Sequence, residues 1–325
     1  MGKFYNNFMK SYLKYLYPEI EPYLKKFYNP DDSEHKIYYE ISGNPNGIPV
    51  VYVHGGPGGG TSPVCRRFFD PKKYKIILID QRGCGKSTPS LLTKNNTTDF
   101  LIEDMENIRK ILKINKWILF GGSWGTTLSL CYAIKYPQNV SKLVLRGIYL
   151  NRQSDVDWLF QEGASYLKPI EFEKYTSILS TEQKKNILNS YYEMMNSNDE
   201  NIRNKAFIHW TNWETALISV NKVKFDAHKY PKETAEIAFL ENYYFYNKAW
   251  MPENYILNNI DKIKHIETYI VHGEYDIDCR PSGAYDLHKT MQNSKLFMLS
   301  KTAHTQREWK IAKTLVKIMD NLTFD

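Results

Sequence analysis

Several features that would steer the 325-residue chain toward particular functions are scarce or missing. Four cysteines, Cys65, Cys84, Cys131 and Cys279, are widely spaced with no C-x-x-C pair. That spacing argues against a disulfide framework or a thiolate zinc site and fits a reducing compartment. No apolar run approaches the roughly 20 residues that span a bilayer, so no membrane segment is expected. The opening stretch MGKFYNNFMKSYLKYLYPEI has no uninterrupted apolar core and no small-residue cleavage site, and Asn6 stands where a myristoylation signal prefers Ser or Thr. A cytoplasmic protein is the resulting expectation. Nor is there a basic block. The net charge of +7 comes from 43 Lys and Arg against 36 Asp and Glu, dispersed in doublets such as Lys25 with Lys26, Lys72 with Lys73 and Lys184 with Lys185. Charge spread in this way reads as a solvated surface, not a track for nucleic acid. H-E-x-x-H is absent, so a zinc aminopeptidase lacks its ligands. Gly85-Lys86-Ser87 ends like a Walker A loop, but Asp80 stands where its first Gly is required, which argues against nucleotide binding. No metal and no organic cofactor is expected.

What is present is an ordinary globular balance, 42% hydrophobic and 24% charged, with 25 Tyr supplying much of the bulk. Short β-branched or aromatic runs recur at 37–41, 50–53, 76–79, 117–120, 143–145, 269–272 and 296–299. From the third onward they alternate with helical stretches such as 102–112 and 126–136. Continuous apolar runs interleaved with helices predict an α/β fold with a mostly parallel sheet and helices on both faces. The alternation stops after Leu145, and 149–261 shows aromatic-rich helical patterns without a convincing strand. It resumes with YIVHG at 269–273. The expected organisation is a core of residues 1–148 and 262–325, with a helical cap of 149–261 over the carboxyl edge of the sheet, where open α/β sheets place their sites. Residues 1–15 precede the first recognisable element and are read as an extension.

The strongest chemical signal is GGSWG at 121–125, a G-x-S-x-G motif between the run WILF and the helical stretch TTLSLCYAIKYP. A serine on so sharp a strand-to-helix turn needs Gly or a very small residue two before and two after it, so that the backbones can pass. Ser123 is therefore the candidate nucleophile of an α/β-hydrolase fold, and a Gly-rich turn without chemistry is the competing reading. The remaining loops favour the former. In this architecture an acid follows one late strand and a histidine the next. HGEYDID follows YIV and SKTAHTQ follows LFML, which places Asp276 and His304 there, with Asp278 and Glu274 as rivals for the acid. His304 would accept the Ser123 proton and return it to the leaving amine, and Asp276 would orient the ring. The other histidines (His35, His54, His209, His228, His265, His272 and His288) lie away from that loop and are expected to be structural or superficial. HGGPGGG at 54–60 follows a strand and would supply one oxyanion-hole amide, from Gly56; the second is the N–H of Trp124. Cys279, three residues past Asp276, is either accessible to thiol reagents from the site or a small buried hydrophobe.

Helical spacing in the cap yields two carboxylates on aromatic faces. Phe207, Trp210 and Glu214 share one, and Ile237, Glu241, Tyr244 and Phe245 share another. A carboxylate among rings is costly without a cation. A salt bridge to one of the many Lys or Arg, or a solvated face, would account for both.

HGGPGGG, DQRGCGKS, GGSWGTTLSLCYA, LVLRGIYL, DWLFQEGAS, WTNWE, LENYYF and HGEYDIDC, in this order, resemble proline iminopeptidases, serine peptidases with an α/β-hydrolase core and a helical cap. The resemblance runs from about Leu16 to the C-terminus. It implies a triad of Ser123, Asp276 and His304, and capture of the substrate's free α-amine by Glu214 in W-x-x-W-E and Glu241 in E-N-x-Y-F. Cap aromatics and the segment after Leu145 would enclose the pyrrolidine ring, with Tyr149 at one such position. Departures are Ala303 where the family usually has Gly, Leu159 where relatives often carry Tyr, and Arg280 where Pro is usual. The expected activity is release of N-terminal proline from peptides through a prolyl-enzyme ester. The alternative is an esterase or lipase-like hydrolase with the same triad, and a catalytically silent binding protein is a more distant reading.

Overall fold

The computed structural model describes residues 12–31, 34–221 and 229–323. Eight strands build one sheet: β1 (Leu24–Tyr28), β2 (Ile37–Gly43), β3 (Ile48–Val53), β4 (Tyr74–Ile79), β5 (Trp117–Gly122), β6 (Val140–Arg146), β7 (Thr268–Gly273) and β8 (Ser294–Leu299). Their order across the sheet is β1-β2-β4-β3-β5-β6-β7-β8. β1 and β2 run antiparallel to their neighbours, and every pairing from β4 to β8 is parallel. All seven apolar runs read from the sequence fall within strands. The eighth strand, β1, was not legible: its sequence is LKKFY, with both lysines exposed. An edge strand is only half-covered, and lysines there discourage pairing with another chain.

The strand residues divide by parity between two cores. Val51, Val53, Ile77, Leu119, Leu143, Leu145 and Ile270 face a core shared with α1 (Thr98–Ile111), α2 (Trp124–Lys135) and the helices that follow β6. Val50, Tyr52, Ile76, Leu78, Ile118, Phe120, Val144 and Val271 face the other, closed by the carboxy-terminal helix Trp309–Asn321 and by Phe68 and Phe69. Because both faces are covered, the central strands carry unbroken apolar runs.

Between β6 and β7 the chain forms α3 (Gln153–Phe160), α4 (Ala164–Leu167), α5 (Pro169–Thr176), α6 (Ile187–Met195), α7 (Glu200–Leu217), α8 (Pro231–Tyr246) and α9 (Tyr255–Asn258), with no strand among the described residues of this stretch. Two further helices complete the fold: α10 (Pro281–Thr290) and α11, the carboxy-terminal helix already named. Rings hold the insertion together: Phe160 stacks on Trp210 at 4.3 Å, and Tyr175 stacks on Tyr191 at 4.7 Å and on Trp213 at 5.5 Å. No helix among the described residues is long and apolar enough to cross a membrane. Of the first fifteen residues, 12–15 form a 3-10 turn in which Tyr12 is buried and Tyr15 stacks on Trp309. The rest of that segment, and His228, lie outside the described residues.

The insertion docks on the Gly-rich loops of the core through α8. Glu236, 2% exposed, accepts from the Gly85 N–H at 3.1 Å and the Ser90 hydroxyl at 2.7 Å, while Lys232 donates to the Gly85 carbonyl. A Cβ on Gly58 would collide with the carbonyl of Glu236. DQRGCGKS is thus a docking turn. Asp80 fills it, accepting from the Thr61 N–H and hydroxyl and from the Lys86 N–H.

Candidate active site

Ser123 sits between the end of β5 and the first turn of α2 with φ 57° and ψ −130°, a strained conformation for a residue with a side chain. Its neighbours show why glycine is required. A Cβ on Gly121 would lie 2.5 Å from the Gly125 carbonyl, and one on Gly125 would strike the Val53 carbonyl. The Ser123 N–H donates to the carbonyl of Arg146 at the end of β6, which fixes the turn against the next strand.

The two late loops meet at His304. Its Nδ1 lies 2.8 Å from Asp276 Oδ2, while Asp276 Oδ1 accepts from the N–H groups of Asp278 (3.1 Å) and Cys279 (2.8 Å). Asp276 is 2% exposed; Glu274, a rival for this position, faces solvent. Asp278, the other rival, lies on the opposite side of the ring, with Oδ2 3.2 Å from Nε2. His272 was expected to lie apart from this loop, but the structure places its Nε2 3.3 Å from Asp276 Oδ2. It stands one β-strand residue before the turn that carries Asp276. Its tautomer is fixed, because Nδ1 accepts from the Ile148 N–H, leaving Nε2 to donate to the Cys279 carbonyl. Burial lowers the pKa of both His272 and His304, the latter to about 4, so both rings are neutral near pH 7. Burial pushes Asp276 upward.

Arg146 is the residue that the sequence did not single out. It ends an apolar strand, is 8% exposed, and its Nη1 lies 3.0 Å from His304 Nε2 and donates to the His304 carbonyl at 3.1 Å. Its Nε has no hydrogen-bond partner among the described residues. An arginine closing a buried strand was the available signal. Among the described residues Ser123 Oγ makes no hydrogen bond, and His304 Nε2 is occupied by Arg146 and Asp278.

A small cavity opens beside Ser123, lined by Gly56, Trp124, Tyr149, Leu159, Glu214, Glu241, Phe245, Asp278 and Cys279. Both predicted oxyanion donors belong to this wall. Trp124 occupies the first position of α2, where a backbone N–H has no intrahelical acceptor. Its indole is held by Gln81 at 3.1 Å and by edge contact with Tyr244. Tyr149 meets Phe245 edge-to-face at 5.5 Å, and its hydroxyl is buried without a partner.

Opposite lie the carboxylates. Glu241 is 6% exposed and accepts one bond, from Trp210 Nε1 at 2.7 Å. Among the described residues Glu214 Oε1 and Asp278 Oδ1 are buried without a hydrogen-bond partner, and the two carboxyl groups lie within hydrogen-bonding reach of each other. No Lys or Arg among the described residues forms a salt bridge with Glu214 or Glu241, so the salt-bridge explanation of these residues fails. Burial raises Glu241 to about 8 and Glu214 well above its usual range, with the neighbouring carboxylates adding to the effect.

Comparison with known proteins agrees with this architecture. Residues 48–310 match the family described as the alpha/beta hydrolase fold. The chain is 42% identical over 305 residues to the proline iminopeptidase of Arabidopsis thaliana, covering 93% of this chain and 80% of that one. It is 41% identical to a probable proline iminopeptidase of Leptolyngbya boryana (95% and 97%), and 40% identical to the proline iminopeptidase of Neisseria gonorrhoeae (89% and 93%). Among solved structures, MGS-M2, an alpha/beta hydrolase enzyme from a Medee basin deep-sea metagenome library, superposes with a TM-score of 0.63 at 16% identity, covering 92% of this chain and 99% of that one. An esterase from Exiguobacterium antarcticum does so with 0.56 at 20%, covering 92% and 100%. At such identities these two speak for the fold alone. The chain belongs to the α/β-hydrolases and, within them, to the proline iminopeptidase family.

Proposed function

We propose that the chain releases N-terminal proline from peptides by way of a covalent prolyl-enzyme ester, with 149–261 acting as a cap on a core of 1–148 and 262–325. The observation that carries this reading is the pocket itself, where Ser123 forms one wall and Glu214 and Glu241, which meet no Lys or Arg among the described residues, form another. The protonated nitrogen of an N-terminal proline supplies the missing cation, and charged hydrogen bonds of this kind contribute about 1.5–3 kcal/mol each. Tyr149, Leu159 and Phe245 give the pyrrolidine ring apolar walls.

In this mechanism Ser123 Oγ attacks the prolyl carbonyl carbon as His304 Nε2 takes its proton, with Asp276 holding Nδ1–H and stabilising the imidazolium. The carbonyl oxygen, now an oxyanion, is met by the N–H groups of Gly56 and Trp124; removing one such donor typically costs about 2.7–4 kcal/mol. Collapse expels the leaving peptide amine, which receives the proton from His304. Water then repeats the sequence on the ester, releasing proline.

The test compares kcat/KM for a proline arylamide and a neutral acyl ester in Glu214→Gln and Glu241→Gln. The arylamide should lose at least about tenfold, or 1.4 kcal/mol, with the ester little changed. Equal losses on both substrates would defeat the amine anchor. Covalent labelling by a fluorophosphonate, abolished in Ser123→Ala, tests the nucleophile separately.

A further inference from the structure

Asp278 has two neighbours that belong to different halves of the chemistry. Oδ2 lies 3.2 Å from His304 Nε2, the nitrogen that must face Ser123 for catalysis. Asp278 also lines the amine pocket, its Oδ1 is buried without a partner among the described residues, and the carboxyl group reaches Glu214. Two carboxyl groups in contact with no donor between them must share a proton or a cation. A second link joins the same two regions. The His304 and Thr305 N–H groups donate to the carbonyl of Ile218, the residue that caps α7, the helix carrying Glu214. Glu308 reinforces it, accepting from the Val220 N–H at 3.2 Å and the Ala303 N–H at 3.0 Å.

We infer that Asp278 is a positioning residue that couples occupancy of the amine pocket to the freedom of the base. With the pocket empty, Arg146 and Asp278, the latter as the neutral acid donating its O–H, hold His304 Nε2 away from Ser123. An ammonium drawn in by Glu214 and Glu241 also engages Asp278, which lines the same pocket, and the contact with Nε2 is given up. The imidazole then turns on its Asp276 anchor toward Ser123, while Arg146 keeps its bond to the His304 carbonyl. The enzyme thereby withholds its base from acyl groups that bring no amine. This inference rests on the amine-pocket reading proposed above and goes beyond it, because an anchor alone leaves the reactivity of Ser123 independent of the amine.

The experiment measures the rate of Ser123 labelling by a neutral fluorophosphonate, with and without saturating pyrrolidinium chloride, whose binding is followed by calorimetry. The wild-type rate should rise about tenfold or more with the amine, since a ligand shifts a conformational equilibrium by its differential affinity for the two states. Asp278→Ala should label rapidly without amine and gain less than about twofold from it, Asp278→Asn should lose the amine response while keeping the volume, and Asp278→Glu should restore part of it. Pyrrolidinium that binds but leaves the wild-type rate unchanged or slows it would overturn the coupling while sparing the anchor. An amine response retained in both Asp278→Ala and Asp278→Asn would overturn it too. Pyrrolidinium that fails to bind at all removes the anchor, and the coupling falls with it.

Discussion

Two sets of acids in this molecule are treated in opposite ways. In the core, Glu40 meets Arg66 at 2.7 Å, Asp104 meets Arg82 at 2.6 Å, and Glu106 takes bonds from Arg109, Tyr132 and Asn139. Burial alone would raise Glu40 and Glu106, yet their hydrogen-bond partners bring both below the usual range. Around the cavity, Glu214, Glu241 and Asp278 form no salt bridge with Lys or Arg among the described residues, and burial raises all three. The first set is complete within the chain. The second is complete only when a cation arrives from outside, and unpaired buried charge is what a fold tolerates where a ligand repays it.

The comparison breaks most visibly if a core pair is opened. Arg82→Met takes from buried Asp104 the guanidinium that it meets at 2.6 Å, and breaking such a pair typically costs about 3–5 kcal/mol. Urea unfolding should show that loss, whereas Glu214→Gln, which removes a carboxylate with no cation to lose, should leave stability equal or higher at pH 8. A loss of similar size in Glu214→Gln would mean that Glu214 has a structural partner after all.

The pH dependence sharpens the same contrast with a smaller effect. Glu241 has a folded-state pKa raised from 4.5 to about 8. Its contribution to stability is therefore complete below about pH 4.5 and is lost as the pH rises toward 8, because the unfolded chain releases that proton first. In Glu241→Gln this loss disappears, so its Tm should gain on the wild type by about 2 °C or more between pH 5 and pH 8. Catalysis should move the other way. The kcat/KM of a cationic substrate should climb toward pH 8 as Glu241 ionises, and Glu241→Gln should lack that limb. A wild-type Tm independent of pH over this interval would remove Glu241 from the set of destabilised acids.

What was legible in the sequence divides along similar lines. The turn around Ser123 announced itself because its constraints are local: Gly121 and Gly125 are demanded by backbone atoms within a few residues or on the adjacent strand. Asp276 and His304 were legible because a parallel sheet delivers successive loops to one edge. Glu214 and Glu241 showed as acids on aromatic faces, but spacing could not say that no cation would meet them. Arg146 escaped altogether, and Asp278 was read only as a rival for the acid, for a different reason. Their partners lie on separate loops, Arg146 being 158 residues from His304, and no periodicity encodes that. The loop around Gly85 resembled a failed phosphate cradle because its contact with Glu236 spans 151 residues. Strand β1 was missed because its exposed lysines, useful at an edge, erase the apolar signal.

The smallest expected effect concerns Cys279, whose thiol lies on the boundary between the two regions. It is 3% exposed and lines the cavity, with Sγ 3.7 Å from Asp278 Oδ2. Burial and then the adjacent Asp278 and Asp276 carboxylates push its pKa well upward, so little thiolate exists at neutral pH. Since the thiolate is the nucleophile, alkylation by iodoacetamide should be slow, and each adduct should block the space that the substrate's amine end needs. Inactivation should follow the loss of this one thiol, saturating pyrrolidinium should protect against it, and Cys279→Ala should remove the sensitivity with kcat/KM changed by less than about threefold. Rapid inactivation that pyrrolidinium leaves untouched would place the reactive thiol elsewhere and separate Cys279 from the unpaired acids.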